Sequence, residues 1–281
     1  MVRYRRPASL GAVLDALGEA GTNGRILVGG TDLLVRVRRN PTEPLVLIDL
    51  KAADDLPPAV DVTDDGARIG PTATMSDLVS TPQLVEWFPS LISAANVVGS
   101  IAIRNRATLI GNICNASPAC DTAPSLLLHN ATVTIRGSDG ERYVPIAEFF
   151  QGPGQTLCAP GELVVRIDIP RPPDGYRSAF QRLTRRRGVD LATVSAAAGA
   201  TADGLVAVAL GAVAPTPVRA EATAPIDVTD AAAVRQLAEQ LTDIASPISD
   251  VRATKEYRRA MMTVLTTRAI TAAVESESEG S

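Results

Sequence analysis

The sequence predicts an α+β fold. A two-part first domain covers residues 1–173. A smaller domain over 174–275 is a three-stranded antiparallel sheet with helices, and a short tail follows at 276–281. Three observations lead there. Short strand-like runs are joined by hairpin turns. In the last third of the chain, strands precede helices instead of alternating with them. Proline clusters, Pro57-Pro58 and Pro170 with Pro172-Pro173, divide the chain. The piece before the first cluster, 1–56, reads as a small α/β unit, and 57–173 as an antiparallel sheet with helices.

Taken in order, Ser9 caps a helix whose Leu10, Val13, Leu14 and Leu17 repeat at helical spacing, with Gly21 beyond its end. A strand at 26–28, the Gly29-Gly30 pair and a short helix over 33–37 come next, then a buried strand at 45–50. Asp64-Asp65-Gly66 joins the runs 60–63 and 67–69 as a hairpin. Helical spacing returns at 75–84 and 89–98. Residues 107–125 read as a turn-rich loop, and 122–128 at its end as a short helix with Asp121 or Thr122 at its start. A second hairpin spans 131–144, and a strand at 163–169 ends on proline. Beyond the boundary, 179–183, 192–200 and 205–213 read as three strands. Residues 231–245 and 254–274 read as helices, the first with Val234, Leu237, Leu241 and Ile244 on one face. The acidic, small-residue tail reads as disordered.

Composition narrows the function. The chain of 281 residues is 46% hydrophobic and only 3% aromatic, so its core is built mainly from Ala, Val, Leu and Ile. A net charge of −4 argues against a nucleic-acid surface, which needs clustered basic charge and stacking aromatics. The exceptions are local: Arg3 to Arg6, Arg36 to Arg39 and Arg185-Arg186-Arg187. Three cysteines, Cys114, Cys120 and Cys158, form no disulfide framework and no C-x-x-C motif, which fits a reducing cytoplasm and no metal site on this chain. The single histidine, His129, follows an apolar run and reads as a helix-end contact. Cys114 and Cys120 read as small packing residues, Trp87 and Phe88 as core. There is no signal peptide pattern and no run long enough to span a bilayer.

Two stretches carry chemistry. In RILVGGTDLLV, residues 25–35, a strand runs into Gly29-Gly30, and Thr31 or Asp32 can then cap a helix. Such a turn presents several unpaired backbone N–H groups and suits phosphate oxygens. It is neither a P-loop nor the GxGxxG fingerprint. In ATLIGNICNASPACDTAPS, residues 107–125, small residues, amides, hydroxyls and the Asp121 carboxylate crowd together, as they do where backbone approaches a ligand closely.

Together, VGGTDLL and ATLIGNICNASPACDTAPSLLLHNATV closely resemble the FAD-binding medium subunit of molybdenum hydroxylases, the carbon monoxide dehydrogenase and xanthine dehydrogenase type. The likeness continues through GPGQTLCAPGELVVRIDIP and AFQRLTRRRGVDLATVSAA, so it covers most of the chain. It implies a heterotrimer, assembled as a dimer of heterotrimers. A large molybdopterin subunit acts on substrate, and a small subunit with two [2Fe–2S] clusters passes electrons. This chain collects them on FAD for an external acceptor.

On this reading Leu27, Val28, Gly29, Gly30, Thr31, Asp32 and Leu33 form the pyrophosphate turn, with Asp32 serving as a cap rather than facing phosphate. The family contacts FAD at positions matching Thr108, Gly111, Asn112 and Asp121, and the resemblance adds Leu163 near the flavin and Arg182, where relatives often have lysine. No side chain of this chain is implied as a nucleophile or general base. One departure stands out. Relatives carry Gly-Gly before the Asn, and here it is Ile110-Gly111. A β-branched residue disfavours φ > 0, so Ile110 must point away or reshape the pocket. The competing readings are a structural subunit that has lost flavin through Ile110 and a free-standing FAD oxidase. The short C-terminal region disfavours the latter.

Overall fold

The computed structural model describes residues 2–40 and 44–275, so the tail at 276–281 lies outside the described residues. The first unit is a short β-α-β-α-β run: β1 (Val2–Arg5), α1 (Leu10–Ala20), β2 (Gly24–Leu27), α2 (Leu33–Arg39) and β3 (Leu45–Asp49). Its sheet has the order β1-β3-β2, with both outer strands parallel to β3. All five residues of β3 are buried, as suits the middle of a parallel sheet. Ser9 caps α1, and Leu10, Val13, Ala16 and Leu17 are its buried face. The sequence does not announce β1. Its four residues hold two arginines, and pairing with β3, helped by a 2.6 Å hydrogen bond from the Tyr4 hydroxyl to Asp49, makes it a strand.

The second unit is an antiparallel sheet in the order β4-β5-β10-β6-β7. Its strands are β4 (Val60–Thr63), β5 (Gly66–Ile69), β6 (Thr132–Gly137), β7 (Gly140–Pro145) and, further along the chain, β10 (Leu163–Pro170). Both expected hairpins are present. The expected helix at 75–84 is instead two, α3 (Met75–Ser80) and α4 (Pro82–Trp87), because Pro82 lacks the N–H that would continue the first and starts the second. Then follow α5 (Pro89–Asn96), α6 (Ile101–Arg104), α7 (Leu109–Cys114), α8 (Thr122–Leu128) and α9 (Ile146–Phe149). The stretch at 107–125 is therefore not a pure loop: it contains α7, with Leu109, Ile110 and Ile113 buried. A small hairpin, β8 (Phe150–Gly152) and β9 (Gln155–Thr156), lies between α9 and β10. Phe88 is fully buried in this core. Trp87 is partly buried against it, with the Arg171 guanidinium 4.9 Å from its ring centroid.

The last sheet has four strands rather than three: β11 (Arg177–Leu183), β12 (Val194–Ala200), β13 (Val206–Gly211) and β14 (Val218–Glu221), each antiparallel to the next. Pro215 and Pro217 do end β13's run, but the chain turns back and pairs Val218 with Leu210. Every residue of β12 and β13 is buried. Helices α10 (Ala231–Thr242) and α11 (Lys255–Glu275) cover one face, and the buried Arg258 ties α11 to the carbonyls of Thr193 and Ala212 and to Asp250. The helix α8 of the second unit packs against the other face, where Pro124 meets Gly211.

Candidate functional site

The first bend follows β2. Gly30 has φ +73, a conformation that a side chain strains. The first bond of α2 runs from the Leu34 N–H to the Gly30 carbonyl, 3.0 Å, so the N–H groups of residues 30–33 lie upstream of the helical ladder. Neither of the expected caps forms. Asp32 already has helical backbone angles and its side chain makes no capping bond, because a cap needs an extended backbone to fold over the first turn. Asp32 is exposed instead.

The second bend is built from side chains. Thr108 caps α7, its Oγ1 accepting from the Gly111 N–H at 3.1 Å. The residues on either side of it are tied to the start of α3: the Met75 N–H donates to the Ala107 carbonyl and the Leu109 N–H to the Ala73 carbonyl. Ile110 is 6% exposed and packed into the core. Neither it nor Gly111 has positive φ, so the backbone strain that a β-branched residue would suffer there does not arise. Further on, the Gly154 N–H donates to the Ala116 carbonyl and the Ala212 N–H to the Pro118 carbonyl, both near 2.8 Å. The bend is thus pinned to the β8–β9 hairpin and to the last sheet. Ala116 and Ala212, at these two anchor points, both hold the left-handed conformation, which costs alanine about 1 kcal/mol each.

The two bends touch. A Cβ on Gly29 would fall inside the Arg106 carbonyl and against Ala107. Together they line one cleft of about 1130 Å³, larger than the pockets that hold drug-sized ligands. Of the fourteen positions expected from the sequence, Val28, Gly29, Gly30, Thr31, Asp32, Leu33, Thr108, Ile110, Gly111, Asn112, Asp121 and Leu163 line it. Leu27 and Arg182 do not. Leu27 belongs to β2, with Gly30 folded against its side chain. Arg182 lies behind Asp121: its Nη1 donates to Asp121 Oδ2 at 2.8 Å, joining β11 to the start of α8. The other carboxylate oxygen, Oδ1, is buried and has no partner. Burial, only partly opposed by Arg182, pushes Asp121 up to about 6.

Residues 1–172 match the family profile described as FAD binding domain in molybdopterin dehydrogenase. This chain belongs to that family. Residues 178–273 match the family profile described as CO dehydrogenase flavoprotein C-terminal domain. The chain is 30% identical over 279 residues to the carbon monoxide dehydrogenase medium chain of Hydrogenophaga pseudoflava, covering 96% of each chain. It is 29% identical over 279 residues to the xanthine dehydrogenase FAD-binding subunit of Escherichia coli O157:H7, covering 96% of this chain and 95% of that one. Among solved structures, a chain of the reconstituted CO dehydrogenase from Oligotropha carboxidovorans superposes with a TM-score of 0.88 at 29% identity, over 97% of both chains. The chain is accordingly an oxidoreductase subunit with an FAD-binding domain.

Three further parts of the chain line the cleft without a sequence signal that pointed there. The β8–β9 hairpin supplies Gln151, Gly154 and Gln155. The segment after it supplies Cys158 and Glu162. The β11–β12 connection supplies Arg186, Val189 and Leu191. Their signals were the Gly152-Pro153-Gly154 and Ala159-Pro160-Gly161 turns and the run of three arginines, visible in the sequence with nothing to aim them at the cleft. His129 does sit at the C-terminal end of α8, as expected, and is buried. Its Nε2 lies 3.1 Å from Ser90 Oγ and 3.5 Å from Ser178 Oγ, bridging α5 and β11. Among the described residues, no group of acidic, Cys and His side chains is placed to hold a metal, and no helix is long and apolar enough to cross a membrane.

Proposed function

We propose that this chain is the FAD-binding electron-transfer subunit of a heterotrimeric molybdenum hydroxylase. The observation that carries the reading is the shared cleft. A backbone-lined bend and a side-chain-lined bend face one space, and Asp121, whose buried Oδ1 has no partner, is among the residues that line it. That donor and acceptor set fits FAD. The N–H groups around Gly29 and Gly30 suit the pyrophosphate. Asn112, Asp121 and the Thr108 turn suit hydroxyls and the polar flavin edge, and Leu163 and Ile110 give apolar wall. Arg182 supports Asp121 from behind. Bound flavin supplies the redox chemistry, handling electrons both singly and in pairs. The residues of this chain bind, orient and shield it.

The partners in this reading are a molybdopterin subunit and a [2Fe–2S] subunit, paired as a dimer of heterotrimers, with an external acceptor taking the electrons. In this reading the unit boundary falls at the proline cluster, after residue 173, and the two family matches, 1–172 and 178–273, support it. The three unbridged cysteines suit a reducing cytoplasm. The test is direct. The purified full chain should be yellow, or become so when titrated with FAD, and should co-purify with both partner subunits when the three are co-expressed. A chain that stays colourless in excess FAD rejects the flavin assignment, and one that binds FAD but neither partner rejects the assembly.

A further inference from the structure

Asp121 opens α8, yet its side chain does not cap the helix. It is turned to Arg182, and its second oxygen is left without a partner. The residue before it, Cys120, is 4% exposed, and its side chain is buried at the helix start. The Cys120 thiol donates to Asn112 Oδ1 at 3.0 Å, and its sulfur also lies 3.6 Å from Thr122 Oγ1 and 3.8 Å from the Asn112 carbonyl. The fully buried Thr122 hydroxyl donates to the same oxygen at 2.7 Å. A carboxamide oxygen has two lone pairs, and these two donors satisfy both. Burial pushes the Cys120 thiol up to about 11, which keeps it a proton-bearing donor at neutral pH.

We propose that Cys120 and Thr122 are positioning residues that lock the Asn112 carboxamide with its oxygen turned inward, so that Asn112 presents only N–H donors to the cleft. A bound group then meets fixed polarity: donors from Asn112 for carbonyl-type acceptors, and a lone acceptor from Asp121 for a hydroxyl or N–H. Rotating the amide would set its NH₂ against the Cys120 S–H and remove the donors from the cleft. The inference rests on the FAD reading for the identity of the ligand, but the locked amide is a property of the unliganded chain.

The test uses the full-length chain. FAD affinity is measured by flavin fluorescence quenching together with the visible spectrum of the bound flavin. Cys120→Ala and Thr122→Val should each weaken FAD binding about tenfold, the size expected for one lost buried hydrogen bond. Cys120→Ser and Thr122→Ser, which keep a donor, should remain within about threefold of the parent. Thermal unfolding of the apo-proteins separates positioning from packing: Cys120→Ala and Cys120→Ser should melt alike while differing in FAD affinity. Unweakened binding by both Cys120→Ala and Thr122→Val overturns the proposal. So does a Cys120→Ser protein as weak as Cys120→Ala.

A second measurement needs no flavin. In ¹⁵N-labelled apo-protein, the Asn112 side-chain NH₂ signal, assigned by its disappearance in Asn112→Asp, should shift in Thr122→Val and hold in Thr122→Ser. If that pattern holds while the parent takes up no FAD, the functional reading fails and the locked amide stands. If the signal is indifferent to Thr122→Val, the lock is refuted whatever the flavin does.

Discussion

Around Gly29 and Gly30 the chain offers its backbone. No residue of β2 or α2 is fully buried, Asp32 caps nothing, and a glycine in left-handed conformation sets the turn. Between Thr108 and Asp121 the chain offers side chains, each held from behind: Thr108 by the Gly111 N–H, Asn112 by Thr122 and Cys120, Asp121 by Arg182. The contrast separates two ways of making a polar site. A backbone bend tolerates changes of side chain but not of shape. A side-chain constellation tolerates small shifts of shape but not the loss of a support, because each buried polar group left unpaired costs roughly 1–3 kcal/mol.

The change that should break this arrangement most completely is Gly29→Ala. One added methyl would overlap the Arg106 carbonyl, so the two bends must part. FAD affinity should fall at least a hundredfold, about 2.7 kcal/mol, and the apo-protein should lose stability in calorimetry. Gly18→Ala, in the last turn of α1 with open space around the new methyl, is the matched control. It should leave binding alone and raise stability by roughly 0.5–1 kcal/mol. Equal effects of the two alanines would mean that contact between the bends does not matter.

Next in size is Arg182→Leu. It strips the partner from a carboxylate that is already largely buried, and breaking such a pair costs about 3 kcal/mol in denaturant unfolding. Arg182→Lys keeps the charge but loses the planar fork, and should cost well under half as much. If Arg182 were an FAD contact rather than a support, Arg182→Leu would weaken FAD binding without lowering the stability of the unliganded protein.

How much of this was legible in the sequence follows the same division. The glycine bend is local chemistry, visible as a strand, a glycine pair and an apolar helix within eleven residues. The crowding of Thr108, Asn112 and Asp121 was visible too, and twelve of the fourteen expected positions do line the cleft. The internal order of that crowd was not. Helix α7 is six residues long and holds Gly111 and Asn112, both weak helix formers, so it forms because Leu109 and Ile113 are buried and Thr108 caps it. Arg182 lies 61 residues from Asp121, and nothing in spacing says that it meets a carboxylate rather than a cofactor. Strands β1 and β14 exist through partners distant in sequence, the usual way in which tertiary pairing overrides local propensity.

Acid titration sharpens the comparison at lower amplitude, because two buried groups pull in opposite directions. Asp121 is raised to about 6, so between its ordinary value near 3.8 and 6 the folded chain holds the proton more tightly than the unfolded one. On its account stability falls as pH rises through that window. Burial lowers His129 from 6.5 to about 3, so the unfolded chain holds that proton more tightly, and stability rises with pH over the same range and up to 6.5. In the parent the contributions of these two groups should therefore nearly cancel between pH 4 and 6. Relative to the parent, Asp121→Asn should add a rise of stability with pH and His129→Gln a fall, each difference with a slope approaching one proton in denaturant titrations. Of the two, only Asp121 lines the cleft, so FAD affinity should strengthen as pH rises through about 6 in the parent and in His129→Gln, and lose that dependence in Asp121→Asn.

The smallest effect belongs to the first bend's own side chains. Asp32 is exposed, makes no capping bond and sits where the backbone already has helical angles. Asp32→Ala should change stability by no more than about 0.5 kcal/mol, the range of ordinary surface changes. Its charge lies on the wall of the cleft, where it opposes a pyrophosphate, so its removal should, if anything, tighten FAD binding by a factor of about two to three at low ionic strength. That gain should vanish in high salt, where a surface charge is screened. A large loss of affinity in Asp32→Ala would instead mean that this bend grips its ligand through a side chain, and the distinction between a backbone site and a side-chain site would not hold for this protein.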